Sequence, residues 1–447
     1  MISEHKLRTL LSEHYALIGI LIGVALVSFT ISPFRNGDTR LEYAAASGVV
    51  NWGMPYAYSI PNIIDEPPLG FYISGLVFKI FGLSVENGVA LITLFGLGCT
   101  VLIYKIGKET YDKTTGLFAA ALFGLAPWHL ILTRSFLIDA QCLFFSLLAL
   151  YFGIFAIRKD SLKLTAIAGI FFALALLTKL YAVFVLIPLL LLYLHHRPRN
   201  TKQILTQLGI FAFPAVYSSF LWYQITLGKD LLYMVTHGDF TYLNAPEIAP
   251  TPTFVWDFLV NYGLGIFFVA ATLFSLSIGL LFRKHLPKQT LLLDIACLIT
   301  VVSILSVNVY LAVVLNLKVP YTSAVKYDYQ ALPYFSLLAA SLASKSVFLF
   351  RTVKSQNRLR KILFFSVAFA GLLLLVAPII TNMYYAHQLS LSDYLLFRVE
   401  PDKLIGYSFF NYFPTSPDSP LMYMQYLGFA FVLSGLLWAS RHKLEGS

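Results

Sequence analysis

The sequence predicts an all-α polytopic membrane protein with about twelve transmembrane helices and interfacial helices in its first outer loop. Three observations carry that prediction. Of 447 residues, 58% are hydrophobic and only 12% charged, whereas soluble domains run near half apolar and a quarter charged. The apolar residues come in runs of about 20, the length that crosses roughly 30 Å of hydrocarbon. Lys and Arg gather in alternate links between those runs, as they do when short basic loops stay cytoplasmic. Mean hydropathy is +0.74.

The runs lie near 15–34, 85–104, 115–132, 137–157, 164–178, 180–195, 204–225, 262–282, 291–315, 328–344, 362–381 and 421–439. The first is long for a secretory leader and has no small-x-small site after it, so it reads as an uncleaved span. The stretch 69–83, LGFYISGLVFKIFGL, is short and carries Lys79. It reads as an interfacial or re-entrant helix. Cys99, Cys142 and Cys297 fall inside apolar runs without zinc-ligand spacing, which makes them small buried hydrophobes.

An even number of spans puts both termini on one side. That side then collects 22 of the 32 Lys and Arg, from Lys6 and Arg8 through Lys345 and Arg351 to Arg441 and Lys443. Both termini are therefore expected in the cytoplasm. About 15 of the 22 Asp and Glu fall on the other side. The net charge of +10 thus expresses topology. It gives no reason to expect nucleic acid, because no basic, aromatic-interleaved module is present. The long loops 35–84, 226–261 and 382–420 all lie on the outer side, so the working face is expected there. No soluble domain is expected. The chain divides into a catalytic module over 1–345 and C-terminal helices over 346–447.

Ionisable residues collect at the outer boundary. Asp38 and Glu42 follow the first span four residues apart, one helical face. Asp65 and Glu66 precede Pro67-Pro68. TRSFLIDAQ brings Arg134 and Asp139, LLTKLYAVF brings Lys179, and SAVKYDYQALP brings Lys326, Tyr327, Asp328 and Tyr329. Each has an ordinary explanation: snorkelling for Lys326 and Glu42, a structural ion pair for Arg134 with Asp139, helix capping for Asp38. Lys179 resists one, because apolar sequence flanks it on both sides. Charges at membrane depth are costly unless paired or functional. A carboxylate here can act as general base on an acceptor hydroxyl or amine, and a fixed cation can hold a phosphate. A donor presented at this depth is lipid-linked.

In order and spacing, GDTRLEY, DEPPLGFYISGLVFKIFG, GLFAAALFGLAPWHLILTRSFLIDAQCLFF and GIFFALALLTKLYAVFVLIPLLLLYL resemble the membrane-embedded glycosyltransferases of the GT-C superfamily. The nearest branch holds protein O-mannosyltransferases, the aminoarabinose transferase of lipid A and RgtA/B/C/D-like enzymes. The likeness covers residues 15–195 well and continues weakly to about 345 through KYDYQALPYFSLLAASLA. It implies a polyprenyl-phosphate sugar donor, transfer on the extracytoplasmic face of the plasma membrane with inversion, and a lipid, polysaccharide or protein acceptor. It makes Asp38 the base, Arg134 and Asp139 organisers of the site, Lys179 the ligand of the lipid phosphate, and Tyr327 and Tyr329 a lining of the donor pocket. In DEPPLGF the prolines would set the chain on the membrane surface, with Phe71 and Tyr72 as anchors and Asp65 and Glu66 facing the cavity.

Three departures from the family pattern stand out. Thr39 follows Asp38 where an acid is frequent, so the base lies open between Asp38 and Glu42. Glu66 stands where Lys or His is frequent, which leaves room for a divalent cation. Leu180 follows Lys179 where Gly is common. Competing readings are a lipid-linked glycan flippase or transporter, an O-antigen-type polymerase or ligase, and a non-enzymatic scaffold. A transporter calls for mid-bilayer charges and repeat-related broken helices, and the sequence shows no internal repeat.

Overall fold

The computed structural model describes residues 4–30, 37–57, 63–64, 66–196, 200–228, 266–284, 286–309, 328–352 and 420–445. Among them the secondary structure is helical apart from one isolated bridge, Tyr56 to Ile63. In chain order come α1 (Glu4–Thr30), α2 (Gly37–Trp52), α3 (Leu69–Phe81), α4 (Val85–Thr110), α5 (Lys113–Gly124), α6 (Pro127–Thr133), α7 (Asp139–Lys159) and α8 (Leu162–Leu176). A 3₁₀ turn (Leu180–Val185) leads into α9 (Leu186–His196), and α10 (Thr201–Phe220) ends in a π-helical turn (Leu221–Thr226). Then follow α11 (Ile266–Leu281), α12 (Lys288–Val309), a 3₁₀ turn (Asp328–Ala331), α13 (Leu332–Thr352) and α14 (Pro420–Glu445).

Four described segments are long and apolar enough to cross a membrane: Val85–Thr110, Asp139–Lys159, Thr201–Thr226 and Lys288–Val307. Six shorter apolar helices, of 10–17 residues, accompany them. The expected span 362–381 and most of the outer loops 226–261 and 382–420 lie outside the described residues.

Several helices start where short polar side chains cap free N–H groups. Ser84 accepts from Asn87 N at 3.1 Å and Asp112 from Thr115 N at 2.8 Å; such caps satisfy donors the first turn leaves open. α5 forms the centre, buried along its length between α4 and α13. Its small residues permit this. A Cβ on Gly107 of α4 would come within 2.7 Å of Gly116 Cα, the close backbone approach that small residues allow between membrane helices.

The expected single span 115–132 is instead two helices. α5 stops at Gly124, and Pro127 opens α6. Proline suits a first helical position but holds the residue before it out of the helical region; Ala126 sits at φ −60°, ψ 130°.

α3 begins directly after Pro68, and its 13 residues make about 20 Å, too short to span, as the interfacial reading expects. Phe71 is the correction here. It is fully buried against Ala45, Ile64 and Ile138 and anchors nothing to lipid. α3 instead exposes Leu76, Ile80 and Phe81.

Lys345 is a second correction. Its sequence neighbours suggest a solvated cytoplasmic loop, but it lies within α13, which runs unbroken across position 345. The ammonium is wholly buried 2.6 Å from Asp294 of α12 and donates to Ser275 O and Oγ of α11 at 2.8 and 2.9 Å. Tyr111 and Ser341 donate to the same carboxylate at 2.9 and 3.1 Å.

α14 returns to lie along α1. Glycines face each other there: a Cβ on Gly428 would meet Gly23 O at 2.7 Å, and one on Gly435 would meet Ala16 O at 2.6 Å.

Candidate active site

The site is organised by a break in the helix run after α8. Lys179 leaves the helix in extended conformation, φ −155° and ψ 144°. The break frees Leu177 O, which accepts from Leu69 N at 2.8 Å. One backbone bond thereby fastens the start of α3, just after the two prolines, to the break.

Lys179 turns inward. It is 5% exposed, with its ammonium 2.9 Å from Glu42 Oε1 and 3.0 Å from Asp139 Oδ2. Glu42, on α2, also accepts from Ile138 N at 2.7 Å. Asp139, in the first turn of α7, also accepts from the Tyr181 hydroxyl. Two carboxylates on one ammonium leave an excess negative charge, and desolvated charge is expensive without further hydrogen bonds. Ile138 N, the Tyr181 hydroxyl and the N-terminal end of the α7 dipole supply them. Burial alone would push the Lys179 ammonium down, but Asp139 and Glu42, with smaller contributions from Tyr181 and Glu66, hold it well above its usual value. The group is a charged keystone joining α2, the start of α7 and the break after α8.

The remaining expected residues divide. Asp38 is half-buried in the first turn of α2, one turn before Glu42. Arg134 caps the end of α6 and is half-buried, with its guanidinium 5.6 Å from the centre of the Phe29 ring. The sequence paired Arg134 with Asp139; the structure gives Asp139 the ammonium of Lys179. Glu66 is partly buried ahead of Pro67, and its Oε2 is buried without a hydrogen-bond partner among the described residues. Tyr329 is fully buried in the turn before α13, its hydroxyl 2.8 Å from His129 Nδ1 and its ring beside Phe123. Asp65, Lys326 and Tyr327 lie outside the described residues. Among the described residues no group of three or more His, Cys, Asp or Glu is arranged to hold a metal ion.

Two contributors are not legible in the sequence. Tyr181 carries a usable signal, two residues beyond Lys179 beside an extended break. His129, in an apolar run, has only its residue type.

The chain superposes on ArnT from Cupriavidus metallidurans in the apo state, TM-score 0.51 at 14% identity, covering 98% of this chain and 78% of that one. The same protein bound to undecaprenyl phosphate gives TM-score 0.52 at 13% identity, covering 96% and 77%. The chain has the fold of ArnT, as the GT-C resemblance leads one to expect. Residues 65–223, which hold Glu66 and the keystone's Asp139 and Lys179, match the family described as dolichyl-phosphate-mannose-protein mannosyltransferase. Over 130 residues the chain is 28% identical to YkcB of Bacillus subtilis (strain 168), named as a mannosyltransferase, and over 216 residues 28% identical to an uncharacterized protein of Aquifex aeolicus (strain VF5). These matches span 18% and 49% of the relatives' own length. The matched region is about a third of the chain and carries Asp139 and Lys179 of the keystone, while Glu42 lies before it.

Proposed function

We propose that this protein transfers a sugar from a polyprenyl-phosphate donor to an acceptor hydroxyl or amine, at the extracytoplasmic face of the plasma membrane and with inversion. The observation that carries the reading is the buried Lys179 keystone. It fixes the first-loop helix α2 against the start of α7, so that Asp38 is held on a rigid support at the edge of a bundle whose fold matches a protein seen with undecaprenyl phosphate.

The keystone also supports a choice between the two acids that the sequence left open. Both Glu42 oxygens are engaged and the residue is 2% exposed, so it cannot take a substrate proton without breaking the buried pair. Asp38 is the base. It would take the acceptor proton as the acceptor oxygen or nitrogen bonds to the anomeric carbon. The bond from that carbon to the phosphate oxygen breaks on the opposite face, and polyprenyl phosphate leaves with the electron pair. Lys179, saturated by carboxylates, serves as a positioning residue. Arg134, half-exposed at the end of α6, is the better placed of these two cations to meet the phosphate. Both termini are assigned to the cytoplasm on the distribution of Lys and Arg.

The test uses purified full-length protein with radiolabelled polyprenyl-phosphate sugars and, separately, nucleotide sugars. The expected result is release of polyprenyl phosphate from lipid donors alone, lost by at least 100-fold in Asp38→Asn, the scale of general-base catalysis, with unchanged thermal stability. Turnover of nucleotide sugars, or full turnover by Asp38→Asn, would overturn the assignment. Movement of intact lipid-linked sugar across proteoliposomes without release would favour the transporter reading.

A further inference from the structure

The π-helical turn at the end of α10 builds an unexpected interior. α10 is a largely exposed helix: Leu205, Phe213, Val216 and Tyr217 are all more than half exposed, as on a face meeting lipid. At Leu221 the winding loosens, and Leu227 N closes on Trp222 O at 3.0 Å in the wide π register. Such turns recur at functional sites. Here the turn swings Trp222 (6% exposed) and Tyr223 (1% exposed) into the protein, where they pack with Met54, Leu177 and Leu180. Met54 follows α2, and Leu177 and Leu180 flank Lys179. Tyr72 of α3 holds Met54 in place by donating to its Sδ at 3.2 Å.

Two buried polar atoms next to this break lack partners. Among the described residues Trp222 Nε1 is a donor with nothing to receive its hydrogen, and Glu66 Oε2 is an acceptor with nothing to supply one. Glu66 lies three residues before Leu69, whose N–H is bonded to Leu177 O, and Trp222 packs on Leu177 and Leu180, so both groups adjoin the same three-residue break. A Trp that belongs to an interfacial belt keeps its ring among lipid head groups; Trp222 is enclosed by protein. An unsatisfied buried polar group costs about 1–3 kcal/mol, and native structures rarely carry one without a reason.

We propose that Trp222 and Glu66 form a carbohydrate subsite for the donor sugar, in which the indole N–H donates to a ring or hydroxyl oxygen and the Glu66 carboxylate accepts from sugar hydroxyls. A pyranose offers both kinds of group on one small rigid ring. The subsite rests on the donor reading above and adds the part that recognises sugar rather than lipid phosphate.

Binding of two probes to the full-length protein tests it: bare polyprenyl phosphate, and polyprenyl-phosphate hexose. Wild type should bind the hexose form more tightly. Trp222→Phe, which keeps an aromatic ring and removes the N–H, and Glu66→Gln should each narrow that preference about tenfold, the worth of one good hydrogen bond, and leave affinity for bare polyprenyl phosphate unchanged. An unchanged preference in both variants overturns the subsite. So does an equal loss of both probes, which marks Trp222 as a structural prop. Wild type that binds neither probe overturns the donor reading itself, a result distinct from a lost preference.

Discussion

Replacing Lys179 by Met tests the keystone directly. Met matches the stem of the lysine in length and adds no polar atom. The substitution strands two carboxylates, Glu42 and Asp139, at 2% and 0% exposure. Removing one partner of a buried ion pair typically costs about 3–5 kcal/mol. Ile138 N and the Tyr181 hydroxyl still serve the stranded carboxylates, so the lower half of that range, about 3–4 kcal/mol, is expected. Glu42→Gln, which leaves the Lys179–Asp139 pair intact at 3.0 Å, should cost less, about 1–3 kcal/mol. The triple variant Lys179→Met, Glu42→Gln, Asp139→Asn removes every charge and should recover most of the loss, because a neutral replacement of a buried pair is often tolerated. Reversible unfolding in mixed detergent micelles gives all three values. If Lys179→Met unfolds within about 1 kcal/mol of wild type, the ammonium does not bear on both carboxylates and the keystone is not what fixes α2.

Two further outcomes follow from other contacts. Lys345→Met should destabilise the fold by about 3–5 kcal/mol through the stranded Asp294, whereas Lys345→Met combined with Asp294→Asn should regain much of it in the same unfolding assay; a double variant no better than the single would show that the pair is not an isolated buried ion pair. Gly428→Leu places a side chain where even a Cβ would meet Gly23 O at 2.7 Å. It should force α14 off α1, lower the melting temperature and speed proteolysis of the C-terminal helix, while Gly209→Ala, in open space on α10, should do neither.

The fold class was legible because composition and run length are properties of the chain itself. So was the oddness of Lys179, a charge between apolar segments. Its partners were not legible: Glu42 lies 137 positions away and Asp139 40, and only packing brings them to one ammonium. The sequence linked Asp139 to Arg134 because those two are close in the chain. Lys345 misled for the same kind of reason. The residues after it, through Lys361, read as a solvated basic stretch, while helical geometry places its own side chain on the inward face of α13. The interruption of 115–132 could be anticipated at Pro127, but hydropathy averages across a proline. Trp222 was invisible because nothing in an apolar run announces a change from α to π winding.

The pairing of α1 with α14 has a consequence for biosynthesis. The two helices that share the glycine seam are separated by the 389 residues between Thr30 and Pro420, and at 5–20 residues per second the ribosome takes about 20–80 s to supply the second after the first. Through that interval the Gly19 and Gly23 face of α1 waits in the bilayer without its mate. Small apolar residues suit the wait, since acyl chains can lie against them without leaving polar groups unserved. The seam therefore closes after every intervening helix has been synthesised, and defects in α14 should surface as a late-stage intermediate whose keystone is already assembled.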